Sequence, residues 1–216
     1  MGIPVLILGE SGSGKSTSLR NFEPNDVSIF NVASKPLPFR KRLPKVDNPD
    51  YLAIKTFLSR PTKKAYVIDD SQFLMCFEQF ARAKETGYQK FTDMALNFYD
   101  LVQFVIKALP PDVLVYFLHH TETNEMGKIK AKTVGKMLDN QLTVEGLFSI
   151  VLFCKTDGIR HYFETQSDGY TTAKSPMGMF EREIDNDLKA VDSIIRDYWE
   201  LNPINNITTS KEEENK

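Results

Sequence analysis

Residues 3–8 form a short apolar run, rich in β-branched and aliphatic side chains, that stops at Gly9-Glu10-Ser11-Gly12-Ser13-Gly14-Lys15-Ser16-Thr17. An apolar run of this length ending at glycine is the pattern of a buried parallel strand feeding a tight turn. Glycines at 9, 12 and 14 let the backbone bend until successive N–H groups converge on one anion. A lysine placed next neutralises the outer phosphates of a nucleotide, and a hydroxyl after it is suited to Mg²⁺. Gly9, Gly14, Lys15 and Ser16 meet the four constrained positions, which a random chain of this length matches roughly once in a hundred. The feature therefore predicts ATP and Mg²⁺ as ligands. Residues 9–17 form the cradle, Lys15 lies on the β- and γ-phosphates, and Ser16 lies on the metal. A helix over residues 15–22 is expected to aim its positive N-terminus at the same anion.

The rest of the chain alternates strand and helix signals. Strands are expected over residues 27–32, 65–68, 113–118, 149–154 and 159–165. Helices are expected over 51–59, 71–84, 91–109 and 184–201, the last with Leu188, Val191, Ile194, Ile195, Tyr198 and Trp199 inward. Residues 35–50, with four prolines and Arg40, Lys41, Arg42 and Lys45, read as a loop. Residues 121–133 read as a loop or mobile hairpin. Thr156-Asp157-Gly158 and Ser167-Asp168-Gly169 read as turns, the second leading into residues 170–173. This order predicts an α/β fold: a mainly parallel central sheet flanked by helices and extended by late antiparallel strands. One domain is expected over residues 1–201, followed by a disordered polar tail over 202–216.

Composition bounds the partners. A net charge of −2 leaves no global basic field, so any nucleic-acid contact must be a local patch. Cys76 and Cys154 each sit in an apolar stretch with no further cysteine nearby, as reduced core thiols of a cytoplasmic protein do. No apolar run approaches membrane-spanning length, and no signal-peptide pattern opens the chain.

Two further strand ends carry chemistry. Ala65-Tyr66-Val67-Ile68 runs into Asp69-Asp70. An aspartate at such a strand end beside a phosphate loop holds Mg²⁺, which selects Asp69. Asp70 either polarises the attacking water or caps the following helix. Residues 113–118 run into His119-His120-Thr121-Glu122. Alternation turns one histidine into the core, which leaves His120 as the γ-phosphate sensor or else a loop histidine without a role. Glu122 is a second candidate water-activating carboxylate. Between two glycines, Gly127 to Gly135 and just beyond, Lys128, Lys130, Lys132 and Lys136 either align on nucleic-acid phosphates or form an ordinary solvated loop. The Arg40-Lys41-Arg42 patch carries the same two readings.

The motifs GESGSGKST, VIDD, YFLHHTE and TTAKSP, spread over residues 3–176, together resemble the RecA-like AAA-type ATPases of phages. Within these the chain looks most like the short phage RecA-like recombinases associated with single-strand DNA annealing. The resemblance implies a RecA-type core, ATP hydrolysis, homo-oligomers with nucleotide at subunit interfaces, and single-stranded DNA as partner, in a host cytoplasm. It matches Lys15 and Ser16 to the phosphate loop, Asp69 to the Walker B position and the segment after His120 to the DNA-facing loop. Lys174 falls where relatives present a basic finger to a neighbour's γ-phosphate. One departure stands out. Where the family commonly carries a catalytic Glu after the second strand, this chain reads Asn31-Val32-Ala33-Ser34-Lys35. The remaining rival classes are a P-loop small-molecule kinase and a nucleotide-gated loader without turnover.

Overall fold

The computed structural model describes residues 1–135, 137–138 and 142–203; Lys136 and most of the polar tail, residues 204–216, lie outside them. Among the described residues, nine strands alternate with four α-helices: β1 Ile3–Gly9, β2 Val27–Asn31, β3 Lys45–Asp47, α1 Tyr51–Leu58, β4 Ala65–Asp69, α2 Gln72–Ala81, α3 Gln89–Ala108, β5 Leu114–Thr123, β6 Ile129–Ala131, β7 Ile150–Thr156, β8 His161–Glu164, β9 Glu183–Asp185 and α4 Leu188–Tyr198. The spatial order is β3-β2-β4-β5-β1-β7-β8-β9, with β6 paired to β5 off this path. Pairings from β3 through β7 are parallel, and β8 and β9 add antiparallel strands beyond β7. The chain is thus α/β, with a mostly parallel central sheet.

Helices cover both faces, which is why β1, β4 and β5 are apolar at nearly every position rather than at alternate ones. Leu6 and Leu8 of β1, Tyr66 and Ile68 of β4, and Val115 and Phe117 of β5 pack on one face with α1, α2 and α3. Val5, Ile7, Val67, Tyr116 and Leu118 pack on the other with Leu19 and with Leu188, Val191 and Ile195 of α4. Each such side chain, fully buried, contributes about 1.5–3 kcal/mol of transfer free energy. Helix starts follow local chemistry: Asp50 accepts from the Ala53 amide at 2.7 Å, and Asp187 accepts from Lys189 and Ala190. The buried Arg196 seats α4 at the amino-terminal edge of the sheet by donating to the carbonyls of Lys64 and Asp112.

The observed elements refine the expected ones at five places. Residues 16–21 form a 3-10 segment instead of an α-helix. The Ser18 hydroxyl donates to the Lys15 carbonyl at 2.6 Å, and such local bonds compete with helix propagation. The dipole argument for the glycine loop therefore loses its helix. Residues 35–50 contain β3, an exposed edge strand paired with β2. Residues 121–131 are an ordered hairpin, with Glu122 opposite Lys130. Residues 170–173 make no strand; only a single bridge between Lys174 and Val151 joins that segment to the sheet. The final helix starts at Leu188, after β9, and leaves Ile194 and Tyr198 exposed rather than inward. No helix among the described residues is long and apolar enough to cross a membrane.

Because β1, β2, β4 and β5 run parallel, their carboxyl ends share one edge. Gly9 pairs with His120, and Asn31 pairs with Asp69. β5 lies between β1 and β4. Everything that follows is built on that edge.

Candidate functional site

Two glycines of the loop leaving β1, Gly9 and Gly14, have no room for a side chain. A Cβ on Gly9 would lie 2.5 Å from Ser13 Oγ and 2.7 Å from the Cys154 carbonyl. Gly14 has φ +101°, and its Cβ would strike the His161 ring at 2.9 Å. Gly12, at φ +80°, faces open space, so there glycine answers backbone conformation alone. The loop curls around Lys15, whose Nζ donates to the carbonyls of Gly9 at 2.7 Å and Glu10 at 2.8 Å. Burial lowers the Lys15 pKa from its ordinary value, partly offset by Cys154, Asp70 and Asp69. Ser13 Oγ is buried in the same loop with no hydrogen-bond partner. A buried hydroxyl without a partner is free to take a hydrogen bond from a polar group entering the loop.

Three side chains from far along the chain clamp this loop. The Cys154 thiol donates to the Ser13 carbonyl at 3.0 Å, and His161 Nδ1 donates to the same oxygen at 2.7 Å. Asn186 Nδ2 donates to the Gly14 carbonyl at 3.3 Å. Sequence reasoning treats Cys154 as a core thiol and does not single out His161 or Asn186. They lie 141–172 residues from their partners, and no local pattern marks them.

Across the cleft, Ser16 Oγ donates to Asp69 Oδ1 at 2.8 Å. Asp69 is 6% exposed. Burial, then the neighbouring Asp70 carboxylate, push its pKa up to about 6. Asp70 adopts φ +61°, a left-handed conformation that costs a non-glycine residue of order 1 kcal/mol or more. That turn aims its carboxylate away from α2. Oδ1 accepts from His120 Nε2 at 3.0 Å, and Oδ2 accepts from Lys35 Nζ at 2.8 Å. Burial raises the Asp70 pKa, but these two donors outweigh it and hold the group below the usual carboxylate range. The helix-cap alternative for Asp70 is thereby overturned. Only its backbone carbonyl serves α2, accepting from Phe73 N.

The two adjacent histidines divide as strand alternation requires. His119 is fully buried, and burial drives its pKa down to about 4, so it is neutral. Its Nε2 meets the Lys132 carbonyl at 2.8 Å, which can only accept. Nδ1 is then the acceptor, and the Ser71 hydroxyl 2.9 Å away donates to it. His120 faces the cleft instead, with Phe73 edge-on to its ring at 5.4 Å.

Gly12, Gly14, Lys15, Ser16, Thr17, Asp69, Asp70 and His120 therefore line one cavity of about 240 Å³, together with Lys35. Glu10 and Ser11 lie where a second cavity, of about 330 Å³, opens toward Phe73, Thr121 and Lys132. A third, of about 300 Å³, lies on the β7–β8 side and is lined by Gly9, Ser13, Phe153 and Tyr162. Lys35, with Pro36 and Pro38, reaches the main cleft from the segment that the sequence predicts to be a loop. Lys174 lines none of these three cavities; its backbone is fastened to Val151, level with Leu6 of β1. Glu122 pairs with Lys130 at 3.2 Å and stands apart from the main cleft. Lys128, Lys130 and Lys132 alternate with Ile129 and the buried Ala131. The Lys132 amide donates to the His120 carbonyl at 2.9 Å, so the hairpin is bonded directly to the cleft strand. Lys136 is outside the described residues. In the Arg40–Lys45 region, Lys41 pairs with Glu23 and Lys45 with Asp47. Among the described residues, no three His, Cys, Asp or Glu side chains gather as a protein-only metal cage.

No protein-family model matches this chain, and no curated protein matches it.

The raised Asp69 pKa has a thermodynamic consequence. Its folded carboxyl holds a proton up to about pH 6, whereas its ordinary value is 3.8. The folded state therefore binds that proton more tightly, and stability falls as pH rises from 4 through 6. In chelator-treated protein, Asp69→Asn should be more stable than wild type at pH 8 by roughly 1–3 kcal/mol, with the gain shrinking toward pH 4.5. Urea denaturation at the two pH values measures it. A variant less stable than wild type at pH 8 contradicts the assigned electrostatics.

Proposed function

We propose that this chain is a RecA-like P-loop ATPase that acts on single-stranded DNA. The observation that carries the reading is the Ser16–Asp69 hydrogen bond. It joins the glycine loop at the end of β1 to the acidic end of β4, with a lysine buried between them. A hydroxyl and a carboxylate touching beside a cradle of amides suit Mg²⁺ completed by phosphate oxygens and water. That is how Mg²⁺ is usually held, so no protein-only cage is needed. Ser16 and Asp69 would hold the ion, which would supply positive charge against the negative charge that develops during phosphoryl transfer.

The chain's own groups then take the following roles. Amides of residues 11–16 bind the phosphates, and the unpartnered Ser13 hydroxyl gains a partner. Lys15 exchanges two backbone carbonyls for phosphate oxygens, which are stronger acceptors for a cation. Asp70, ionised and held from both sides by His120 and Lys35, orients and polarises the attacking water. His120 touches both Asp70 and the hairpin strand, and so reports the terminal phosphate to the lysine hairpin. Lys174 lies away from its own chain's cleft, as a group serving a neighbouring subunit's nucleotide must.

Steady-state phosphate release tests the enzyme reading. Wild-type protein should hydrolyse ATP in Mg²⁺ and accelerate with single-stranded DNA. Asp70→Asn should keep nucleotide binding while turnover falls about 10²-fold or more, the usual contribution of a positioned base. No hydrolysis by wild type, with or without DNA, rejects an ATPase in favour of a nucleotide-gated assembly protein.

Single-strand binding rests on Lys128 and Lys132, both exposed. Each phosphate neutralised contributes about −0.7 to the slope of log affinity against log salt. Lys128→Ala with Lys132→Ala should flatten that slope by about 1.4 and weaken all sequences alike, since phosphate contacts carry no base information. An unchanged slope in a double variant that still hydrolyses ATP makes the hairpin an ordinary solvated surface.

A further inference from the structure

The geometry points to Lys35 as a second cation for the terminal phosphate, supplied by the chain's own β2–β3 connection and parked on Asp70 until nucleotide arrives. This inference rests on the ATPase reading above. At the place where the resembled family carries a carboxylate, the chain presents an ammonium 2.8 Å from Asp70 Oδ2.

Lys35 is held as a site residue is held, although its side chain is 59% exposed. Asn31, 2% exposed at the end of β2, grips its backbone from both sides. Asn31 Nδ2 donates to the Lys35 carbonyl at 2.8 Å, and the Lys35 amide donates to Asn31 Oδ1 at 3.2 Å. Asn31 also donates to Asp47 of β3, which fixes its own orientation. Ser34 adopts φ +54°, so the chain turns left-handed to deliver the next residue into the cleft. Lys35 Nζ lies over the Phe73 ring, 5.0 Å from its centroid. The side chain lines the same cavity as Gly12, Lys15 and Ser16. A surface lysine without a task needs neither a buried asparagine clamp nor a strained neighbour.

Magnitudes favour transfer from Asp70 to a phosphate. Solvent screens the exposed Lys35 end of its pair with the buried Asp70, whereas a terminal phosphate offers more charge and several acceptor oxygens. Nucleotide entry would therefore draw Lys35 off Asp70 and free one carboxylate oxygen for water, while His120 keeps the other. ADP, lacking the terminal group, would leave Lys35 in place.

The test is the preference for ATP over ADP, measured by equilibrium binding with Mg²⁺ in four proteins: wild type, Lys35→Gln, Asp70→Asn and the double variant. Glutamine keeps a polar side chain of similar shape and removes the charge, and unchanged ADP affinity certifies an intact site. If Lys35 touches the terminal phosphate, Lys35→Gln should lower the ATP:ADP preference about tenfold or more, in the wild-type and the Asp70→Asn backgrounds alike. Lys35→Arg should retain most of the preference. If the loss vanishes in the Asp70→Asn background, Lys35 serves only to neutralise Asp70, and the inference is overturned. If wild type binds neither nucleotide, the ATPase reading itself fails. A wild type that binds both with a preference indifferent to Lys35 defeats this inference alone.

Discussion

The 2.8 Å bond between Ser16 Oγ and Asp69 Oδ1 depends on nearly every other feature of the molecule. The two residues stand 53 positions apart, Ser16 in the 3-10 segment that follows β1 and Asp69 at the end of β4, and those two strands are not neighbours. They meet because β1, β5 and β4 are parallel and in register, so that Gly9, His120 and the end of β4 reach the same edge. The register is enforced by burial on both faces: a slip of one residue would exchange the two sets of apolar side chains between α1–α3 and α4. Core packing is thus what sets the distance between a hydroxyl and a carboxylate at the surface.

That edge concentrates charge at a cost. Lys15 and Asp69 are both nearly buried, and burial moves both pKa values toward the neutral form. Asp70 adds a strained backbone, and Ser13 an unsatisfied hydroxyl. Under the proposed function, bound nucleotide and Mg²⁺ offset the charge burial at Lys15 and Asp69. Elsewhere the fold handles charge differently. Arg196 is equally buried, but its guanidinium is fully engaged by Asp192 and backbone carbonyls, so the seat of α4 asks for no ligand.

Much of this was legible in the residues themselves. The strand–glycine–lysine–serine run names its own geometry. Asp69 and His120 were legible because each directly follows an apolar strand, so parallel pairing had to bring them together. The side of Asp70 was not legible. It turns on a left-handed φ at a residue that ordinarily avoids it. Lys35 was hidden among prolines and basic residues, since its placement depends on the Asn31 side chain rather than on any periodicity. β3 carries exposed Lys45, Val46 and Asp47 and has no hydrophobic signature to read. Loop and hairpin were equally readable for the β5–β6 segment, because backbone pairing beyond the core needs no apolar side chains. The clamp of Cys154, His161 and Asn186 on the glycine loop is purely tertiary.

The central claim is that the cleft between Lys15, Ser16 and Asp69 binds a nucleoside triphosphate together with Mg²⁺. Titration calorimetry with ATP, in Mg²⁺ and in chelator, on wild type and Lys15→Ala tests it most directly. The account predicts one ATP per chain, bound more tightly in Mg²⁺ than in chelator, and heat reduced to background in a Lys15→Ala protein that melts cooperatively. ATP bound equally well by wild type and Lys15→Ala, or with no dependence on Mg²⁺, would contradict it.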